Sequence, residues 1–147
     1  MPDGINEQYA ALLRLLKQQD ELYHRIAAAS GLSDAAFWVL YALCENETAL
    51  SQQELCSAWC YPKQTVNSAI QNLCRLGYVA LAAGEGKRKN VLLTAAGQAF
   101  CQNTTRPLQK AERDSFARLA PAEREAFLSL FRRQLQSLQE ETTKAQP

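Results

Sequence analysis

Leu50-Ser51-Gln52-Gln53-Glu54-Leu55 opens the stretch that decides the fold, and Leu93-Thr94 closes it. Serine followed three residues later by glutamate is the pattern in which each side chain satisfies the other's backbone amide at a helix start. Leu50 and Leu55 flank it as an apolar staple, so a helix is predicted from Ser51 to about Trp59. Pro62 suits the first turn of a second helix, which runs to Leu76 and stops at Gly77. Tyr78-Val79-Ala80-Leu81 and Val91-Leu92-Leu93 read as two short strands. They are joined through the tip Gly84-Glu85-Gly86-Lys87-Arg88-Lys89. The stretch is thus helix, turn, helix and hairpin.

The second helix of that unit has two faces. Val66, Ala69, Ile70 and Leu73 form an apolar stripe at helical spacing. Lys63, Gln64, Asn67, Ser68, Gln71, Asn72 and Arg75 form the other face, without a single carboxylate. Two readings are open. One is a solvated surface, although such faces usually mix Lys with Glu. The other is a helix that enters a DNA major groove, where Gln and Asn contact adenine and Ser or Thr contact bases or phosphates. A carboxylate there would repel phosphate, and none is present. The tip Lys87-Arg88-Lys89 is likewise either a charged solvated end or a set of cations for phosphates and the minor groove. Each feature is common alone; the pair is more specific.

The charge distribution agrees. Residues 1–50 carry three Lys or Arg against seven Asp or Glu, residues 51–93 five against two, and residues 94–147 eight against six. The formal net charge of +1 hides a basic middle segment.

Outside this unit the chain reads as helices. Ile5, Tyr9, Leu12, Leu16, Tyr23 and Ile26 form one stripe on a helix from Ile5 to Ala29, which Gly31 ends. Ser33 caps a second helix to about Cys44, apolar nearly all round through Phe37, Trp38, Leu40, Tyr41 and Cys44. Thr94 caps a helix to about Leu119, with a kink expected at Pro107. Pro121 opens a last helix striped by Phe127, Phe131, Leu135 and Leu138.

Several function classes are excluded. The phosphate-loop pattern fails, because Leu81 stands at the first glycine position and Arg88 follows the lysine. There is no nucleotide fingerprint, no paired-carboxylate motif and no nucleophile-base set, so neither an enzyme nor a cofactor is expected. The five cysteines show no CxxC, and His24 is the only histidine, so no metal site is expected. No apolar run approaches bilayer length and no basic-then-apolar leader opens the chain; a cytoplasmic protein without a membrane partner is the expectation.

Three stretches carry a resemblance. Pro62-Lys63-Gln64-Thr65-Val66-Asn67-Ser68-Ala69-Ile70-Gln71-Asn72-Leu73 is similar to the recognition helix of the multiple-antibiotic-resistance regulator (MarR) family. Leu73-Cys74-Arg75-Leu76-Gly77-Tyr78-Val79 resembles that family's exit into its wing, and Leu93-Thr94-Ala95-Ala96-Gly97 its "L-T-x-x-G" at the wing's end. The resemblance covers nearly the whole chain in order and spacing. It implies one domain over residues 1–147, mainly α with a small β-hairpin: a winged helix-turn-helix DNA-binding lobe at about 33–94, and a helical dimerisation lobe from about 5–29 and 95–143. It further implies a homodimeric, ligand-responsive repressor on double-stranded DNA, its two recognition helices about 34–36 Å apart on a pseudo-palindromic operator.

On this reading Gln64, Thr65, Asn67, Ser68 and Gln71 contact bases, while Ser51, Lys63, Lys87, Arg88 and Lys89 contact phosphates or the minor groove. Two departures bear on affinity. Glu85-Gly86-Lys87 replaces the family's frequent Asp-x-Arg, losing the planar guanidinium fork. Ser68 and Asn72 stand where arginines are frequent. The alternative class is therefore a winged-helix protein-interaction module with weak or no DNA binding.

The family also commonly binds small aromatic compounds between its lobes. Tyr23, His24, Trp38 and Tyr41 are the residues that can line such a cleft, against the plainer reading of core aromatics with a solvent-facing histidine. Some relatives instead sense oxidants through a cysteine. Cys60, beside Trp59, Tyr61 and Lys63, is the candidate here, against the reading of a packed, inert thiol.

Overall fold

The computed structural model describes residues 4–46 and 48–146. They form two units, Met1–Arg106 and Pro107–Pro147.

The first unit begins with α1 (Ile5–Ala29) and α2 (Asp34–Asn46). Gly31, at φ +80°, makes the left-handed turn out of α1. The Ser33 hydroxyl then accepts from the Ala36 amide at 3.2 Å to start α2. α2 is buried nearly all round, as its apolar circumference requires. Phe37, Leu40 and Leu43 from α2 are fully buried, as are Leu55, Val66, Leu73 and Val91 from the elements that follow.

β1 (Leu50–Ser51), α3 (Gln52–Trp59) and α4 (Lys63–Arg75) follow. α3 starts where the sequence placed it, with the Ser51 hydroxyl accepting from the Glu54 amide at 3.1 Å. Pro62 precedes α4 as its cap, and the Val66 amide donates to the Pro62 carbonyl at 3.1 Å. α4 ends in a paired motif: the Tyr78 amide donates to the Leu73 carbonyl and the Gly77 amide to that of Cys74, both at 3.0 Å.

The hairpin is β2 (Val79–Ala83) and β3 (Lys89–Leu93), paired antiparallel from Val79 opposite Leu93 to Ala83 opposite Lys89. β1 adds a third strand, with Leu50 opposite Val91 and Ser51 opposite Asn90, and the order is β1-β3-β2. A two-residue strand is too short to show the alternation by which a strand is recognised.

α5 (Ala95–Asn103) begins at Thr94, whose hydroxyl accepts from the Gly97 amide at 3.0 Å and donates to the Gly77 carbonyl at 2.5 Å. A Cβ on Gly97 would fall onto the Tyr78 carbonyl oxygen. The "L-T-x-x-G" run is thus a clasp: threonine ties α5 to the end of α4, and glycine lets it close against the wing's base.

The expected kink at Pro107 appears instead as a break at Thr104 (φ −128°, ψ −76°), and α6 (Thr105–Ala117) starts anew. The cause is still Pro107. Its ring would clash with the carbonyl four residues back, Asn103, had the helix continued, and it lacks an amide to donate there. The break places it in the first turn of α6, where no donor is needed.

Most of α6, with α7 (Pro121–Ala145), makes up the second unit. Glu123 accepts from the Ala120 amide at 2.7 Å to cap α7. Phe116 packs edge-on to Phe127, which stacks on Phe131. No residue of α7 is buried, and Phe127 is 54% exposed.

Candidate nucleic-acid interface

α4 buries Val66, Ala69, Ile70 and Leu73 and turns Gln64, Thr65, Asn67, Ser68 and Gln71 outward, all five exposed. The acid-free face is therefore a real surface of the folded chain. Arg75 folds back along it, its guanidinium donating to Asn72 Oδ1 at 2.6 Å. That bond steers the Asn72 amide and uses part of the only guanidinium on the helix.

The wing tip is built tightly. The Gly84 amide donates to the Arg88 carbonyl at 2.8 Å, and Gly86 takes φ +65°. Lys87, Arg88 and Lys89 are left exposed. They share a cleft of about 510 Å³ with Lys63, Ser51, Gln52, Gln53 and Cys56. Four cations from the wing and from the start of α4 thus surround the N-terminal turn of α3, whose dipole also favours anions. Ser51 is only 7% exposed, and its hydroxyl caps α3. Gln52 ties the two helices, its Nε2 donating to the Lys63 carbonyl at 3.4 Å. Gln52, Gln53 and Cys56 were not anticipated. The signal available was their place in the first turn and a half after the Ser51 cap.

The aromatic residues divide. Tyr23, His24 and Trp38 line a cleft of about 490 Å³ with Tyr61, Asp34 and Lys17. Tyr41 does not line it; it is 9% exposed and packs against Trp38 and Trp59, with ring centroids 5.0 and 5.4 Å away. Trp59 also lies 4.6 Å from Trp38, a contact that the sequence alone did not reveal. His24 is solvent-facing but not idle. Its Nδ1 donates to both carboxylate oxygens of Asp34, at 3.0 and 3.1 Å, joining α1 to the start of α2. That hydrogen bond, with the charge of Asp34, holds the imidazole above its ordinary pKa. Burial, then the Asp34 charge, raises Tyr61. A second, wider cleft runs from His24 and Tyr61 to Gln64, Thr65 and Ser68 on α4.

Cys60 is exposed and caps α3 in the left-handed region at φ 55°, the only non-glycine with positive φ among the described residues. No group of three or more metal-ligating side chains occurs among the described residues. No single helix there is long and apolar enough to cross a membrane.

Residues 30–89 match the family model described as MarR family. That match spans under half of the chain and takes in α2, the α3–α4 pair and the wing as far as its tip.

Solved structures agree in fold. NMB1585, a MarR family regulator from Neisseria meningitidis, superposes with a TM-score of 0.78 at 20% identity, over 95% of this chain and 99% of that one. BpsR from Bordetella bronchiseptica, whose DNA binding is regulated by 6-hydroxynicotinic acid, gives 0.66 at 25% identity over 91% and 97%. Staphylococcus aureus MepR in complex with DNA gives 0.68 at 20% identity over 88% and 97%. No curated protein matches the sequence.

Proposed function

We propose that this chain is a MarR-type, homodimeric, ligand-responsive repressor that reads a pseudo-palindromic operator in double-stranded DNA. The observation that carries the reading is the cleft in which Lys63, Lys87, Arg88 and Lys89 surround the start of α3, beside an outward face of α4 without carboxylates. Gln64, Thr65, Asn67, Ser68 and Gln71 contact base edges. The four cations take phosphates, Arg88 supplying the fork that Lys87 lacks. Ser51 completes the wall of the phosphate cleft.

The exposed apolar stripes support the dimer. Phe127, Phe131, Leu135 and Leu138 on α7, with Ile5 and Tyr9 on α1, remain open in the single chain. Apolar area of that extent is rarely left to water. The dimerisation helices are those of residues 5–29 and 95–143, and the reading lobe is 33–94.

The effector is a small aromatic molecule held near Tyr23, His24 and Trp38, with Tyr61 as a further wall. The adjoining cleft reaches Gln64, Thr65 and Ser68, so an occupant there bears directly on the reading helix. Such a ligand shifts the spacing of the two α4 helices only by its unequal affinity for the two arrangements. Regulation of BpsR by 6-hydroxynicotinic acid is a precedent within the fold.

Fluorescence anisotropy with random and selected duplexes at low and high salt tests the reading. Salt-sensitive binding that is tighter for selected duplexes is expected. Absence of binding even at low salt overturns it in favour of a protein-interaction module.

A further inference from the structure

Two of the five cysteines meet in the core. Cys44 on α2 is 2% exposed and Cys101 on α5 is 1% exposed, and their thiols are within hydrogen-bond reach of each other. Burial first of all pushes the Cys101 thiol up to about 11.

Their surroundings are not those of two inert apolar thiols. The Thr105 hydroxyl is wholly buried, has no oxygen or nitrogen to pair with among the described residues, and faces the Cys101 sulfur. A buried hydroxyl left in that state is costly, and a full negative charge on the sulfur would satisfy it. The Arg106 charge also acts on Cys101 in the sense that favours thiolate. Cys44 and Arg106 both line a cleft of about 500 Å³ that gives access from solvent. A donor and a cation are thus set around a buried pair of sulfurs.

We propose that Cys44 and Cys101 form a two-sulfur site for one soft monovalent metal ion of the Cu(I) type. Thiolate is the ligand such ions select, and two donors complete a linear site. Zinc would need four ligands, and no third His, Cys, Asp or Glu joins the pair among the described residues. Binding expels two protons to solvent, and two thiolates with one monovalent cation leave one net negative charge. Arg106 offsets that charge, and Thr105 donates to the metal-bound sulfur. The metal clamps α2 to α5.

The test uses the full chain with Cys56, Cys60 and Cys74 replaced by serine, so that only the buried pair remains. Under anaerobic, reducing conditions it competes with a chromophoric Cu(I) chelator. We expect one Cu(I) withdrawn per chain, two sulfurs about the metal by X-ray absorption, and a rise in melting temperature. Adding Cys101→Ala abolishes the withdrawal while circular dichroism reports a folded chain. Thr105→Val, which keeps the shape, weakens affinity by about 10–100-fold. No withdrawal by the pair-only variant overturns the site and assigns any uptake by the parent to exposed thiols. A Cys44–Cys101 disulfide in place of bound metal also overturns it.

Discussion

Gly97 and Cys60 both sit at constrained backbone positions, with opposite consequences. Gly97 is required by a neighbour: a side chain there meets backbone at Tyr78, which cannot swing aside. Gly97→Ala is expected to cost about 3 kcal/mol, the upper part of the overpacking range, measured by urea denaturation. An unchanged midpoint would mean that the clasp yields freely. Cys60 is required by nothing comparable. It holds φ 55° at the end of α3, a region that a side chain enters at a cost of about 1–2 kcal/mol. Cys60→Gly is therefore expected to stabilise by about 0.5–1 kcal/mol, once the freer unfolded chain is counted. Loss of stability would show that the thiol makes a contact of value. The glycine before the wing and the one after it were both legible in the sequence; only the first shows its reason there, as a helix stop.

At the scale of elements, what was legible is what is local. The Ser51 and Thr94 caps and the Gly77 stop each depend on a few successive residues, and each forms as read. What was not legible is tertiary. The partner of β1 lies forty residues on, and Trp59 meets Trp38 across two helices. The helix break moved to Thr104 because a proline acts on the carbonyl four residues behind it. Of the candidate site, the outward face of α4 and the exposed tip were legible from periodicity and charge, whereas the cleft joining the tip to Lys63 and α3 required the fold.

The α1–α2 bridge gives a prediction at this scale. Asp34 raises the His24 pKa, so the protonated imidazole is the form that the fold favours. Its contribution is fully present below the unfolded value near 6.5 and is lost as pH rises through the higher folded pKa. Asp34→Asn should lower the His24 pKa, followed by NMR titration, and should flatten stability across that window. A histidine that titrates unchanged in the variant would remove Asp34 as the cause.

For the whole molecule, affinity and specificity should separate. Lys87→Ala and Arg88→Ala are each expected to weaken binding to all duplexes alike and to lower the salt slope by about one. Asn67→Ala is expected to relax base preference, costing about 1–3 kcal/mol on the selected duplex. If all three act alike on selected and random DNA, the division of labour between wing and helix fails. Phe131→Glu on the open stripe of α7 is expected to turn a dimer into monomers in sedimentation, and operator binding should fall with it.

Ser51 belongs to two elements at once, as the last residue of β1 and the cap of α3. Its neighbour across the sheet, Asn90, directly follows Lys89 at the base of the tip. The hairpin and the helix pair are therefore geared together: a sideways pull on the tip by a bent duplex is transmitted through one tooth into the start of α3. A wing coupled in this way does not flap independently, and hydrogen exchange at Asn90 and at the first amides of α3 should slow together when DNA binds.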